Sequence, residues 1–190
     1  LRRQRQMCIR DRFNYLDTGK LYRAIGAKYL EGYQPIAAAQ RLESSDLAIY
    51  DLQKPEIAQA ASEIASIPEV RAALLQFQRN FSQKMPGAVI DGRDIGTIVC
   101  PDAKIKIFLT ASLEARAKRR YFEQLNIGYS ESYKSVLSGI NERDSLDSSR
   151  KVSPLIKAED ALEIDVSELT LDEVYEIIWS YVSKKLKKVD

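Results

Sequence analysis

The stretch Val89-Ile90-Asp91-Gly92-Arg93-Asp94-Ile95-Gly96-Thr97 constrains the fold of this chain more than any other. Ala88 to Ile90 is a short apolar run that reads as a buried strand. It ends in an acid, a glycine, an arginine and a second acid. In open α/β sheets, ligands gather at the carboxyl ends of the strands. An acid at that position can hold a magnesium ion, directly or through water, and the arginine beside it offers a planar fork matched to a phosphate. Taken alone, the same residues also fit a strand followed by a solvated glycine turn.

Composition narrows the chemistry. There is no histidine among the 190 residues, which excludes His-based nucleophile triads, His general bases and His-ligated metals. Cys8 and Cys100 lie far apart and form neither a disulfide framework nor a zinc motif, so a reducing, cytoplasmic setting is the expectation. At 45% hydrophobic and 29% charged residues, the chain reads as one globular α/β domain with room for an insertion. No run approaches the roughly 20 apolar residues of a membrane helix. A formal charge of +2 gives no argument for nucleic acid. Chemistry is left to Asp, Glu, Arg, Lys, Ser, Thr and Tyr. Arginine with aspartate is the palette of phosphoryl transfer, in which the protein positions groups and neutralises charge.

Strands and helices alternate along the chain. Leu1 to Arg12, LRRQRQMCIRDR, has no strand alternation and little apolar face. We expect it to be a non-native segment, a nucleic-acid-binding arm being the other reading. Phe13 to Leu16 reads as a strand end, and Thr18 as the N-cap of a helix running from Lys20 to Leu30. Gly32 is its stop. A short helix is predicted over Ile36–Leu42 and a polar loop over Ser44–Lys54. Pro55 and Pro68 open helices that end at Ser66 and Lys84, the second with Val70, Ala73, Leu74 and Phe77 at helical spacing. After the strand ending in Asp91 comes another at Ile105–Leu109. Thr110-Ala111-Ser112 then leads into a helix carrying Arg116, Lys118, Arg119 and Arg120. A helix over Ser130–Glu142, a charged loop over Arg143–Arg150, a strand at Ala161–Ile164 and a helix over Leu171–Leu186 complete the pattern. This order predicts a parallel sheet covered on both faces.

Three clusters carry functional groups. Thr18, Tyr22 and Arg23 bring a hydroxyl, a phenol and a guanidinium to one side of a first helical turn, which suits a sugar phosphate. An N-cap, a half-buried tyrosine and a surface arginine would look the same. Asp91, Arg93 and Asp94 form the second cluster. Arg143, Asp147 and Arg150, in ERDSLDSSR, form the third, and a run of mixed sign is also what a solvated loop looks like. A helical hairpin tipped with arginines could close over a phosphate chain and exclude water.

The joint order of these motifs resembles that of the cytidylate (CMP) kinases, a bacterial nucleoside monophosphate kinase family. The resemblance lies in YLDTGKLYRAIG, QAASEIASIPEVRAALLQFQRNF, VIDGRDIGTIVCPDAKIKIFLTAS, ARAKRR and NERDSLDSSRKVSPLIKAEDALEIDVSEL. It spans nearly everything from Tyr15 to about Leu186. DGRDIGTIV and ERDSLDSSR at this separation are specific as a pair.

The resemblance implies a P-loop NTPase-like parallel sheet with helices on both faces. It implies an acceptor-binding region over about 32–86, with a short helical insertion in place of a small sheet, and an arginine-bearing lid and following loop over about 119–150, within a kinase domain of residues 13–190. It implies transfer of a phosphoryl group from ATP to CMP or dCMP, with Mg2+ as cofactor, by a cytoplasmic monomer. Thr18, Tyr22 and Arg23 fall where the family contacts the acceptor's phosphate and sugar. Ser62, Arg71, Asp94 and Arg150 fall where it reads the cytosine edge. Arg143 and Asp147 match positions near sugar and phosphate, Arg93 an acceptor-phosphate arginine, and Asp91 the acid near the magnesium, reached through water. Arg119 and Arg120 match the lid over the transferring phosphate.

The chain departs from that family at one point. It has no G-x-x-x-x-G-K-[ST] phosphate loop ahead of its LDTG segment, the motif whose backbone N–H groups and lysine cradle donor phosphates. We therefore expect the family's N-terminal strand and loop to be lost or replaced, adjoining strand edges to be left unpaired or forced together, and little or no kinase activity. Two other readings are a UMP- or AMP-type nucleotide kinase and a non-catalytic arginine-rich anion- or RNA-binding protein. Against the latter, the arginines are paired with spaced acids and lack interleaved aromatics.

Overall fold

The computed structural model describes residues 13–43, 45–149 and 153–186. The expectation for residues 1–12 and the site role of Arg150 lie outside them. Among the described residues no helix is long and apolar enough to cross a membrane.

Strand β1 (Asn14–Asp17) runs straight into helix α1 (Thr18–Leu30). Short helices α2 (Pro35–Gln40) and α3 (Asp46–Ile49) follow, then α4 (Pro55–Ile64) and α5 (Pro68–Ser82). Proline opens α2, α4 and α5, where its missing N–H is no loss. Strand β2 (Ala88–Asp91) leads into a single wide π-type turn, Ile95–Val99. Strand β3 (Ile107–Thr110) precedes α6 (Leu113–Asn126), whose N-cap Ser112 Oγ accepts from the Ala115 amide at 3.1 Å. Helix α7 (Tyr133–Ser149), strand β4 (Leu162–Asp165) and α8 (Leu171–Leu186) complete the chain. A capping box starts α8: Thr170 Oγ1 accepts from the Glu173 amide, and Glu173 Oε2 accepts from the Thr170 amide at 2.8 Å.

The main core lies between the first strand pair and α1, α2, α4 and α5. Leu21, Ile25, Ile64, Val70 and Leu74 are buried there. Helices α1 and α4 touch backbone to backbone. A Cβ on Gly26 would sit 2.9 Å from the Ala61 nitrogen, so a side chain there would force the helices apart. The Lys28–Asp46 ion pair (2.7 Å) ties α3 to α1. A smaller core of Ile164, Val166 and Ile178 holds α8 against β3 and β4.

Five expectations change. Parallel pairing is observed, but the strands form two separate pairs, β1–β2 and β3–β4, instead of one sheet. Among the described residues no strand lies between β2 and β3, so each strand pairs only with its crossover partner. Residues 143–149 are helical, not a loop. The spacing of Arg143 and Asp147 makes an i,i+4 pair on α7, and Asp147 is buried against other elements, so the charges stay on the helix. Thr18 is the first residue of α1 and not its cap, because its hydroxyl is committed across the sheet, donating to the Asp91 carbonyl at 2.8 Å. Phe77 lies on the exposed side of α5 while Val70 and Leu74 point inward. The polar stretch before Pro55 also contains one short helix, α3.

Candidate active site

A cleft of about 1590 Å³ opens at the carboxyl ends of β1 and β2 and runs between the two strand pairs. Its walls bring together residues far apart in sequence: Thr18, Tyr22 and Arg23 from α1; Ser62 from α4; Arg71 from α5; Asp91, Arg93 and Asp94 after β2; and Arg143 and Asp147 from α7. Arg119 and Arg120 are not among its walls.

Two carboxylates stand side by side at the strand ends. The register pairs Asp17 with Asp91. Burial at the strand end, and then the charge of Asp17, push the Asp91 carboxyl above the usual carboxylate range, with Arg93 pulling the other way. The turn after Asp91 admits only glycine: a Cβ on Gly92 would collide with Thr18 Oγ1 and lie 2.8 Å from Ile95 Cδ1. The Thr18–Asp91 link and the first turn of α1 thus depend on the small residue between Asp91 and Arg93. Sequence reading missed Asp17 as a partner. Its one signal is that it, like Asp91, ends an apolar run.

Asp94 starts the π-type turn. Its carbonyl accepts from the amides of Ile98 (2.9 Å) and Val99 (3.2 Å). Its carboxylate is paired with Arg71 Nη2, and both side chains are buried. Arg71 Nη1 donates to the Ala65 carbonyl at 3.1 Å, and the guanidinium lies 5.6 Å from the centre of the Tyr22 ring. Arg71 Nε and Ser62 Oγ are buried with no hydrogen-bond partner among the described residues. Both groups line the same cleft as the Asp94 carboxylate, and buried polar groups with unmade hydrogen bonds are costly until something makes them.

The arginines divide into four sets. Arg93 Nη2 is 3.3 Å from Asp147 Oδ2 and Arg143 Nε 3.9 Å from the same oxygen, so the buried Asp147 holds one guanidinium from each side. Arg23 donates through Nη1 to the Leu52 carbonyl at 3.1 Å, and Arg120 Nη2 to the neighbouring Gln53 carbonyl at 3.5 Å. Burial, and then the charge of Arg120, lower the Arg23 pKa. The charges of Asp17 and Glu123 pull the Arg23 pKa the other way, and Glu123 lies 3.8 Å from Arg120 Nη1. Arg119 is turned elsewhere: its Nη2 is bound by the Val166 carbonyl, with those of Ser167 (3.3 Å) and Leu169 (3.4 Å) nearby, because the loop after β4 presents unpaired carbonyls to α6. Arg116, which sequence reading placed on the helix without a role, lines the cleft and pairs with Asp144.

For a cation the available donors are oxygen. Among the described residues no group of three or more acids or cysteines is arranged to hold a metal. Asp17 and Asp91 fit a hard divalent ion that keeps much of its water, since their mutual repulsion is what such an ion relieves. Acids fixed at strand ends, guanidinium groups facing the same cleft and no histidine suit charge neutralisation around phosphates.

The family model described as cytidylate kinase matches residues 33–184. A cytidylate kinase of Cereibacter sphaeroides (strain KD131) is 53% identical over 161 residues, covering 85% of this chain and 78% of the relative. That of Paramagnetospirillum magneticum is 48% identical over 183 residues, 91% of this chain and 87% of the relative. That of Caldanaerobacter subterraneus is 42% identical over 192 residues, 92% and 85%. With the family model over most of its length and relatives this similar, the chain belongs to the cytidylate kinase family.

Proposed function

We propose that this chain binds CMP or dCMP as acceptor in a transfer of the γ-phosphoryl group of ATP, giving CDP or dCDP and ADP, in pyrimidine nucleotide metabolism. An oxygen of the CMP phosphate forms the new bond to phosphorus as the bond to ADP breaks. The observation that supports this most is the buried Arg71–Asp94 pair with the partnerless Ser62 Oγ and Arg71 Nε in the same cleft. Cytosine presents an amino group where uracil presents a carbonyl. A carboxylate oxygen and a hydroxyl accept from that amino group, and a carbonyl there would leave buried groups unpaired, at roughly 1–3 kcal/mol each.

The remaining roles follow from position. Thr18, Tyr22 and Arg23 face the acceptor's sugar and phosphate. Arg93 and Arg143, oriented by Asp147, neutralise phosphate charge. Arg150 belongs with Ser62, Arg71 and Asp94 by its place in the sequence. Residues 32–86 form the acceptor region and 119–150 the lid. In the lid, Arg120 already faces Arg23, and Arg119 would have to exchange its carbonyl contacts to reach a phosphate. We place Mg2+ at Asp91, through water and with Asp17 beside it, where the ion would supply positive charge to the phosphates. The same reading makes the protein a cytoplasmic monomer. The sequence contains no G-x-x-x-x-G-K-[ST], so the acceptor side is what the chain offers for a direct test.

That test is a calorimetric titration with CMP and, separately, with UMP. CMP is expected to bind about tenfold or more tightly than UMP, the ratio that one such unpaired group produces. Equal affinities, or no binding by a chain whose circular dichroism shows it folded, would overturn the assignment.

A further inference from the structure

We infer that Arg79 is a positioning residue for base recognition. It anchors the far end of the turn that carries Asp94, and through that turn it sets the angle at which Asp94 meets the base. The inference rests on the acceptor reading above. Arg71 and Arg79 lie on the same helix, eight residues apart, which is about 12 Å along the axis. Arg71 takes the side chain of Asp94 at the start of the turn. Arg79 takes its end: Nε donates to the Val99 carbonyl at 3.2 Å and Nη2 to the Ile98 carbonyl at 3.0 Å.

The backbone makes those two ends one mechanical unit. The amides of Ile98 and Val99 both point at the Asp94 carbonyl, and the Cys100 amide closes the wide turn onto Ile95 at 2.7 Å. Any rotation of residues 98 and 99 therefore turns the backbone of Asp94. A single helical turn is not stable by itself, and its last carbonyls lack partners within the turn. A guanidinium that binds two of them, at the negative end of the turn, supplies both the hydrogen bonds and the favourable charge. Among the described residues, the hydrogen-bond partners of the Arg79 side chain are these two carbonyls. Arg79 lines the cleft as well, but its hydrogen bonds go to the turn, and it is through the turn that it bears on Asp94. The expected defect is thus one of angle at Asp94, to which a hydrogen bond to the base amino group is sensitive.

The experiment compares wild type, Arg79→Gln and Arg79→Lys in two measurements: titration with CMP and UMP, and amide hydrogen exchange of the ligand-free protein. In Arg79→Gln, CMP affinity falls about tenfold while UMP affinity changes little, so selectivity collapses. In the same variant the amides of Ile98, Val99 and Cys100 exchange faster, while those of α4 keep their protection. Arg79→Lys, which retains a charged donor for the carbonyls, recovers part of both. Parallel losses for CMP and UMP with unchanged selectivity would overturn the inference, as would unchanged exchange at residues 98–100. If the wild type itself binds CMP and UMP alike, the acceptor reading fails, and the exchange measurement alone decides whether Arg79 anchors the turn.

Discussion

The half of the molecule built on β1, β2 and α1–α5 differs from the half built on β3, β4 and α6–α8 in how deeply it buries its key groups. In the first half, Leu21, Ile25 and Val70 are 0% exposed and Ile64 and Leu74 1%. The ion pair at its site, Arg71–Asp94, is enclosed by the same packing. The second half has a core of Ile164, Val166 and Ile178, none fully shielded, and its cleft-side pair Arg116–Asp144 is part-exposed; its one deeply buried acid among the described residues, Asp147, is paired outside that half, with Arg93 after β2. Groups that discriminate one base from another have to be held at fixed angles, which dense packing provides. Groups that fold over a phosphate chain have to move, and motion is drawn from the less densely packed parts of a structure.

The sharpest way to break this comparison is to remove one acid from each ion pair. Asp94→Ala leaves Arg71 buried without its counter-charge, and we expect a loss of about 3–5 kcal/mol in chemical denaturation. Asp144→Ala, at the part-exposed pair, is expected to lose about 1 kcal/mol or less. Similar losses at both sites would mean that the two halves do not differ in burial of charge. A smaller contrast comes from the cores. Leu74→Ala should cost about 3–5 kcal/mol, because the rigid surroundings preserve the cavity, and Ile178→Ala about 2 kcal/mol, because a thin cluster can collapse around it. The reverse ranking would place the denser core in the second half.

How much of this was legible in the sequence follows the same division. The strand ending in Asp91 and the proline-opened helices could be read, because short apolar runs and prolines are local signals; the grouping of Arg71, Asp94 and Ser62, which line one cleft, came from the family resemblance alone. The Asp17–Asp91 pairing could not, because the register of a parallel pair with seventy residues between its strands is set by the whole crossover. The continuation of α7 through residues 143–149 was hidden by its charges, which look solvated until Asp147 is seen buried between Arg93 and Arg143. Arg119 and Arg120 are neighbours in sequence with the same side chain. One caps the loop after β4 and the other faces Arg23, a difference that only the packing of α6 decides.

The smallest expected effect is at Asp91, and its sign is opposite to the others. The Asp91 pKa in the folded chain is raised, first by burial and then by Asp17. Between the ordinary carboxylate value and that raised value, the folded state binds the extra proton. Stability therefore falls as pH rises through this window, and above it the penalty is constant. Asp91→Asn removes the penalty and can offer amide hydrogens to Asp17. We expect the variant to melt at a higher temperature than wild type at about pH 7, and the difference to shrink as pH is lowered through the raised folded value and to vanish only below the ordinary carboxylate value of about 3.9, where the wild-type carboxyl is protonated in both states. Scanning calorimetry of the two proteins across that range checks it. A difference independent of pH would mean that Asp91 is not strained by its surroundings. A variant less stable than wild type at neutral pH would mean that the carboxylate is held by contacts stronger than the repulsion from Asp17. The predicted outcome would show that the strand-end acids are kept at the expense of stability, as expected of groups retained for what they bind.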